Sequence, residues 1–431
     1  MPFEHLTPVP SRRIAIVGGG ISGMAAAYHL APHAHVTLFE AAPRLGGHAR
    51  TVKAGLNGDQ PVDTGFIVFN RVNYPRLTTL FETLDVPLAK SDMSFAASID
   101  GGRMEYGLRH ARALFAQPGN LLRPGFRKML RDLLRFNAEA ANLADDESVT
   151  LGEFLATLGT GDWFRDYYLA PISGAIWSTP KEEILSFPAQ ALVRFFRNHN
   201  LMQLSGQHQW WTVRGGSIEY VKRLQAALID RGVTLRLGQP VETVARDAGV
   251  TLRTGGAPLA FDEVIFATHA DDTLRMLADP SPQESRALGA VKYQPNDAVL
   301  HADPSVMPKR RITWSSWNYV EHIDHRGGPI DLTYWMNCLQ PIPENDPLFV
   351  TLNSRVQIDE RRVYDRVTFR HPVYDLAALA AQKQVATLNG TQSTWYCGAW
   401  MKNGFHEDGY ASAMDVVDHL TTRLQLNFEA A

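Results

Sequence analysis

The chain has 431 residues, which is enough for two domains or for one domain interrupted by another. Its formal net charge of −3 leaves no large basic excess to neutralise phosphates, so a general nucleic-acid-binding role is excluded. The two cysteines, Cys338 and Cys397, are too few for a disulfide framework and fit a reducing compartment. No stretch has the length and apolarity of a membrane span, and we therefore expect a cytoplasmic protein.

Close to the N-terminus, the pattern predicts a strand, a glycine-rich turn, a helix and a second strand. The first strand is the β-branched run Arg13–Gly18, and the second, His35–Glu40, ends on an acid. The glycines between them form the motif G-x-G-x-x-G with Gly18, Gly20 and Gly23. Such glycines permit a tight turn, close approach of a pyrophosphate to the backbone, and close packing of helix on strand. The helix N-terminus offers free N–H groups to phosphate, and Glu40 can accept hydrogen bonds from a ribose. The segment therefore predicts a dinucleotide site.

The residues after Glu40 make the motif more specific. Arg44, Gly46 and Gly47 follow the acid at fixed spacing. With these residues the segment resembles the FAD-binding segment of the flavin-dependent amine oxidase and phytoene desaturase superfamily, which implies FAD as the cofactor. The alternative is a nicotinamide-binding fold in which Arg-Leu-Gly-Gly follows by chance.

Later segments match the same superfamily in the same order. Asp63–Ile67 resembles the loop under the flavin ring, Val241 the residue that holds the adenine, and Phe261–Thr268 the strand that returns to the nucleotide domain. A closing strand, glycine loop and helix occupy the last part of the chain. The resemblance assigns cofactor binding to Gly18, Gly20, Ile21, Ser22, Gly23, Glu40, Ala41, Arg44, Gly46, Gly47, His48, Gly65, Phe66, Ile67, Val241, Ala267, Thr268, Gly398, Gly404, Phe405 and His406.

Three positions depart from the superfamily pattern. His48 stands where an arginine usually follows the double glycine, and Trp400 stands where an acid commonly follows the closing strand. Phe405 occupies a position where amine oxidases often carry tyrosine, so an aromatic cage for an amine is altered here. His406 is the candidate catalytic base or orienting residue, with a simple backbone contact as the alternative. No spacing of ligand residues indicates a metal site.

The resemblance implies an α/β fold of the amine-oxidase type, also called the glutathione-reductase-2-like type. It comprises a Rossmann-like FAD-binding domain in three segments and an inserted α+β substrate domain. We expect residues 1–72, 205–290 and 390–431 in the FAD domain. The substrate domain is expected to comprise a helical insert, 73–204, and an antiparallel sheet within 291–389. Apolar spacing predicts the helices Pro75–Leu84, Leu108–Phe115, Gly125–Leu143, Leu151–Leu158 and Gln190–Asn198. The predicted strands of the sheet are Asp297–Ala302, Ile312–Ser316, Ile330–Asn337, Phe349–Asn353 and Val367–Arg370.

One stretch of the insert mixes arginines with leucines and phenylalanines. Leu121–Phe136 reads LLRPGFRKMLRDLLRF, a pattern typical of a basic amphipathic helix that lies in a lipid headgroup layer. The alternative is a solvated helix face packed on the domain. We therefore treat peripheral membrane contact through this stretch as a hypothesis.

Within the superfamily, the chain looks closest to bacterial predicted NAD/FAD-binding oxidoreductases associated with cyclopropane fatty-acid synthases. The resemblance rests on H-E-D-G near the C-terminus and on W-S-S-W-N-Y. It implies removal of hydride from a lipid acyl chain to flavin N5, and a lipid-methylating enzyme as a partner. No second glycine motif is present for NADPH, so the organic substrate is expected to reduce the flavin. A small-molecule amine oxidase, a carotenoid-type desaturase and a flavin-bound accessory protein to a lipid methyltransferase are the alternatives.

Overall fold

The computed structural model describes residues 12–429 apart from 145, 147, 178–179, 204–207, 248 and 322–330. Its strands are β1 Arg13–Val17, β2 His35–Glu40, β3 Thr51–Ala54, β4 Gln60–Asp63, β5 Val68–Asn70, β6 Leu88–Ser91, β7 Phe95–Ile99, β8 Met104–Gly107, β9 Trp210–Val213, β10 Thr234–Leu237, β11 Thr243–Ala245, β12 Val250–Arg253, β13 Leu259–Phe261, β14 Glu263–Phe266, β15 Tyr293–His301, β16 Trp317–Val320, β17 Leu332–Trp335, β18 Phe349–Leu352, β19 Val363–Pro372 and β20 Thr394–Tyr396. Its α-helices are α1 Ile21–Leu30, α2 Pro75–Thr83, α3 Ala111–Leu114, α4 Pro124–Leu143, α5 Leu151–Leu158, α6 Asp162–Phe164, α7 Ala170–Trp177, α8 Lys181–Ile184, α9 Ala189–Asn198, α10 Ile218–Asp230, α11 Ala270–Met276, α12 Pro282–Gly289, α13 Met336–Leu339, α14 Leu376–Leu388 and α15 His406–Glu429. Among the described residues, no helix combines the length and the apolarity that crossing a bilayer requires.

A five-stranded parallel sheet forms the nucleotide-binding part. The strand order is β10-β2-β1-β14-β20, so segments from the beginning, the middle and the end of the chain lie side by side. The central strand β1 is buried from Ile14 to Val17 because both its faces are covered. The α/β fold with a Rossmann-like parallel sheet, which the family resemblance implies, is confirmed.

A second, seven-stranded sheet carries the other half of the molecule, in the order β19-β15-β18-β17-β16-β7-β8. All its neighbouring strands are antiparallel except β16 and β7, which run parallel. Helices α4 to α9 pack into one apolar core with this sheet. The predicted helix Leu151–Leu158 has the predicted bounds, because Thr150 and Glu153 form a capping box at its start and Gly159 is left-handed at its end.

The structure corrects two predictions for this half. The insert 73–204 is not wholly helical, since β6, β7 and β8 occupy residues 88–107 and two of these strands extend the sheet. The predicted strand Ile312–Ser316 is instead a short 3-10 turn, Arg311–Thr313, and the strand begins only after it, as β16 between β17 and β7. Ile330, the first residue of another predicted strand, lies outside the described residues.

A buried carboxylate joins three separate segments. Asp63, at the end of β4, is fully buried and accepts hydrogen bonds from the Thr51 hydroxyl at 2.6 Å and from the Ser217 backbone and hydroxyl at 2.7–2.9 Å. The side-chain amide of Gln340, directly after α13 in the second half of the molecule, donates a further bond at 2.9 Å. Burial raises the pKa of Asp63 to about 6 although these donors favour the ionised form. Asp63 therefore fixes the β3–β4 hairpin to the start of α10 and to the second half of the molecule.

We expect Asp63→Asn to lower the free energy of unfolding by roughly 2–4 kcal/mol at pH 7. The amide NH₂ group of Asn would replace one carboxylate oxygen, and it would then face hydrogen-bond donors to which it cannot bond. Urea unfolding followed by circular dichroism measures the change. Asp59→Asn, an exposed position in the same hairpin, is the matched control and should be neutral. Equal unfolding midpoints for the two variants would contradict the role given to Asp63.

Candidate functional site

The glycine turn after β1 has the geometry that the motif predicts. Gly18 has a φ of +109°, donates to the Phe39 carbonyl at 2.8 Å, and would place an added Cβ 2.6 Å from the Ala267 carbonyl oxygen. A Cβ on Gly23 would lie 1.9 Å from the Gly18 carbonyl oxygen. These two glycines are therefore required for the packing of α1 on its strands. By contrast, no atom of the part of the chain that the structure describes lies within 4 Å of a Cβ placed on Gly20, apart from its chain neighbours, which leaves free space beside the start of α1.

Glu40 ties this turn to the end of β2. One carboxylate oxygen accepts from the Gly19 backbone at 2.6 Å and the other from the Ala42 backbone at 2.8 Å. Ala41, between them, is exposed. The loop that leads to Val241 is joined to the same place, since Gln239 donates to the Glu40 carbonyl at 3.0 Å. The carboxylate keeps unused lone pairs for a ribose, because each oxygen can accept a second bond.

Arg44 shapes the loop of the double glycine. Its guanidinium donates to the carbonyls of Leu45, Gly47 and Ala49 at 3.0–3.1 Å. Gly46 donates to the Gly19 carbonyl at 2.9 Å, so the loop lies directly on the glycine turn. Arg44 therefore supports the candidate pyrophosphate site through the backbone and does not reach into it with a free guanidinium.

The D-T-G-F-I loop lies against His48. Phe66 donates to the His48 carbonyl at 2.9 Å, and a Cβ on Gly65 would lie 2.0 Å from the same oxygen. The Ile67 carbonyl accepts from the Thr212 hydroxyl at 2.8 Å. The loop predicted to run under the flavin ring is thus held between His48, directly after the double glycine, and β9.

The closing segment meets the glycine turn from the other end of the chain. Gly398 donates to the Ser412 hydroxyl at 2.9 Å, and a Cβ on Gly409 would lie 2.8 Å from the Ser22 hydroxyl and 3.0 Å from Ile21. The starts of α1 and α15 therefore converge. Trp400, at the position of the missing acid, is buried and donates to the Thr268 carbonyl at 3.0 Å, so it closes the ends of β14 and β20.

His406 has defined neighbours. Its ring stacks on Phe66 at 3.8 Å between centroids, and its Nε2 lies 2.9 Å from the Tyr220 hydroxyl. Burial, and then the nearby His48, lower the pKa of His406 to about 3. The ring is therefore neutral at neutral pH, with Nε2 engaged by Tyr220. The preceding Phe405 stacks on Phe195 of α9 at 5.0 Å.

The sequence did not predict a cluster of neutral histidines. It lies between β19 and the loop that follows the double glycine Gly46-Gly47. The His48 ring lies 5.0 Å from Phe369, 5.6 Å from His371 and 6.0 Å from His269. Burial is the first cause that lowers the pKa values, to about 4 for His48 and about 3 for the other two histidines. Arg370 donates to Nδ1 of His269 at 3.1 Å, which requires that nitrogen to be unprotonated. Two signals in the sequence could have indicated this cluster. His269 directly follows Ala267 and Thr268 after β14, and His371 directly follows the predicted strand Val367–Arg370.

The residues present fit an FAD molecule. Free space beside Gly20 adjoins the N-terminus of α1, as a pyrophosphate requires. Nε2 of His48 is buried and has no hydrogen-bond partner among the described residues, as expected of an atom that contacts a ligand. Contacts connect several of the predicted residues in turn: a Cβ on Gly47 would lie 3.2 Å from Cα of Gly20, Phe66 donates to the carbonyl of His48, and Phe66 stacks on His406. We call this series of residues the cofactor path. Val241 lies apart from it and packs in one apolar cluster with Phe39 and Phe261.

Gly20→Val tests the pyrophosphate site. The space around Gly20 accommodates the side chain, so we expect the apoprotein to unfold at the wild-type urea concentration while FAD affinity falls by at least about tenfold through steric exclusion. Flavin fluorescence titration measures the affinity. Gly256→Val, at a glycine with similarly free surroundings, is the control. Unaltered FAD affinity in Gly20→Val would place the cofactor elsewhere.

The histidine cluster predicts a pH dependence of stability. A histidine with a pKa of about 3 in the fold and 6.5 in the unfolded chain stabilises the protein above pH 6.5, and this contribution is lost as the pH falls towards 3. His371→Phe removes one such group, so we expect its melting temperature to fall less steeply than the wild-type value between pH 6.5 and pH 4. Exposed His33→Phe is the control. Parallel curves for all three proteins would show that His371 is not held neutral.

Comparisons with known proteins agree with this geometry. The family model for flavin containing amine oxidoreductases matches residues 21–322. Human protoporphyrinogen oxidase is 28% identical over 330 residues, which cover 65% of this chain and 64% of the human protein. The chain spans less than two thirds of the length of the curated relatives it matches.

Solved structures share the fold over almost the whole chain. A putative protoporphyrinogen oxidase from Exiguobacterium superposes with a TM-score of 0.70 and 20% identity, over 96% of this chain and 99% of that one. A fatty acid isomerase from P. acnes, which produces CLA, superposes with a TM-score of 0.68 and 15% identity, over 95% and 99% of the two chains. Because the family model covers well over half of its residues, this chain belongs to the flavin containing amine oxidoreductase family and is an FAD-dependent oxidoreductase.

Proposed function

We propose that the protein removes hydride from a hydrophobic substrate, with a lipid acyl chain as the leading class. The observation that supports this proposal is the aromatic contact at Phe405. Its ring packs against the apolar cores of both halves of the molecule, and it stacks on Phe195 of α9. The His199 ring stacks on Phe195, at 3.9 Å between ring centroids, and on Trp210, at 6.3 Å. An aromatic surface thus adjoins the candidate flavin loop.

FAD, when bound, supplies a hydride acceptor. The chain's own residues have two tasks, which are to hold the substrate C–H close to that acceptor and to exclude water. The aromatic side chains perform the second task. Burial, as the first cause, lowers the pKa of His199 to about 4, so this ring adds no positive charge to the surface at neutral pH. An uncharged surface favours an apolar substrate because it costs no ion desolvation.

His406 is proposed as an orienting residue. Its Nε2 is engaged by Tyr220, and its stacking on Phe66 fixes the ring plane beside the loop predicted to lie under the flavin. Flavin oxidation of a C–H bond requires geometry more than an acid–base pair, so an orienting role is sufficient for this chemistry. A direct role as a base remains the alternative.

Amine oxidation is the second candidate, and the family match favours it. The stacked contact of Phe405 with Phe195 argues for an altered amine cage, because these rings meet face to face. The fatty acid isomerase with the same fold shows that a protein of this architecture is compatible with a fatty acid substrate, although its low identity assigns no substrate to this chain. Carotenoid-type desaturation and a role as an accessory protein to a lipid methyltransferase are further outcomes of the experiment below.

Anaerobic flavin reduction tests the proposal. We expect bleaching of the bound flavin by phospholipids with unsaturated or methylated acyl chains, and no comparable bleaching by amines or carotenoids. Phe195→Leu should retain FAD and reduce the bleaching rate by about tenfold or more, because the ring against Phe405 is lost. Phe126→Leu, in the same apolar core but outside this aromatic surface, controls for packing. Bleaching by amines alone would establish the second candidate, and no bleaching by any of the three classes would favour the accessory role.

A further inference from the structure

We propose that the turn Pro118–Leu122 and the first half of α4 form a docking surface for an anionic lipid bilayer. The α4 surface, as we define it, consists of Leu121, Leu122, Arg123, Arg127 and Arg131. The proposal is independent of the substrate class, because it rests on the outer face of the molecule. It also revises the sequence hypothesis about which residues of Leu121–Phe136 would contact lipid.

The apolar face of α4 is not available to lipid. Phe126, Met129 and Phe136 are buried in the core of the helical half, at 0–2% exposure. The side chains that protrude are different ones, since Leu121 is 43% exposed, Leu122 is 80% exposed and Leu134 is 53% exposed. A bilayer would therefore receive the leucines of the turn and not the hydrophobic stripe of the helix.

The turn is held firmly while it exposes these leucines. The Gln117 side chain accepts from the Glu105 backbone at 2.9 Å and donates to the Gly102 carbonyl at 3.0 Å. Asn120 is buried and donates to the Glu105 carbonyl at 3.3 Å. Two side-chain amides, of which that of Asn120 is buried, thus anchor the turn beside β8, so the exposure of Leu122 is a fixed feature of the fold.

Charge is segregated around the same turn. From Tyr106 to Arg131 the sequence has no carboxylate, whereas the chain as a whole has a net charge of −3. The cations in this stretch are Arg109, Arg112, Arg123, Arg127, Lys128 and Arg131. Two of them are neutralised, Arg109 by Asp92 and Lys128 by Asp132.

The remaining cations of α4 share one face. Arg127, Arg131 and Leu134 follow at i, i+4 and i+7, which places them on one side of the helix. Arg127 also donates to the Leu121 carbonyl at 3.3 Å, which brings its guanidinium to the turn. Within the described part of the chain, no carboxylate lies within 4 Å of Arg123, Arg127 or Arg131.

This combination fits an anionic bilayer better than another macromolecule. Exposed leucines beside unpaired arginines match an interface in which apolar side chains enter the acyl boundary and cations meet lipid phosphates. A second copy of this chain would bring the same cations against one another. Nucleic acid would not use the protruding leucines, which offer no stacking surface.

Helix α4, which carries the α4 surface, packs directly on α9, which carries Phe195 of the aromatic surface at the candidate site. Phe136 of α4 contacts Phe196 of α9 at 6.3 Å between ring centroids. The neighbouring Phe195 is the residue that stacks on Phe405. Docking through the α4 surface would therefore bring the FAD site close to the lipid phase.

Vesicle co-sedimentation of the FAD-loaded protein tests the proposal. We expect binding to phosphatidylcholine vesicles that contain phosphatidylglycerol and little binding to pure phosphatidylcholine. Arg127→Gln with Arg131→Gln should weaken binding by about 30-fold, which corresponds to roughly 1 kcal/mol for each cation near an anionic surface. Lys128→Gln with Arg135→Gln removes the same charge from the adjoining flank of the helix, where both cations are ion-paired, and should weaken binding much less.

The apolar contribution has its own pair of variants. Leu121→Ser with Leu122→Ser should also reduce binding, by about tenfold or more, while Leu143→Ser with Ile229→Ser, at exposed apolar positions elsewhere, should not. Melting temperatures and flavin content verify that every variant is folded. Equal binding to neutral vesicles, equal losses in both charge pairs, or a change of oligomeric state in the leucine variant without loss of lipid binding would each overturn the proposal.

Discussion

The whole arrangement depends on one buried carboxylate. Asp63 collects donors from the β3–β4 hairpin, from the start of α10 and from Gln340 after α13. A buried charge is tolerated only where several donors satisfy it, and here the donor Gln340 lies 277 residues from Asp63 in sequence. The loop that begins at Asp63 carries Gly65 and Phe66. The position of the loop predicted to lie under the flavin is therefore determined by the same bonds that join the two halves of the molecule.

A similar connection supports the other end of the cofactor path. Glu407 is buried and accepts from the backbones of Arg76 and Leu77 at 3.1 and 2.9 Å, so it caps the N-terminus of α2. Asp408 accepts from the Phe405 backbone at 2.9 Å and fixes the loop before α15. Each polar residue of the H-E-D-G sequence thus has a contact that holds the closing loop. The cluster of His48, His269 and His371 is uncharged at neutral pH, which fits a site closed to water.

Local patterns predicted the parts of the fold that local physics determines. The glycine turn and helix α5 could be placed from sequence, because steric and capping requirements act over a few residues. Strand β7 could not, since it pairs with β16, whose residues are more than 200 positions away, and β8 joins the sheet through β7. Trp400 could be recognised as a departure from the family pattern, but its bond to the Thr268 carbonyl is a tertiary contact. The same is true of the site, where glycines were predictable and the histidine cluster, assembled from three distant segments, was not.

The convergence of α1 and α15 has a consequence for biosynthesis. Strand β20 occupies the edge of the parallel sheet beside β14, and the loop after it completes the cofactor path. A ribosome delivers this segment after α1 and β14, so the nascent chain must keep the apolar face of α1 and the edge of β14 exposed until then. Non-local parallel pairing of this kind is slow to form and vulnerable to aggregation while it waits. A flavin that binds only the folded chain would therefore stabilise the completed sheet by mass action, in proportion to its free concentration relative to its dissociation constant.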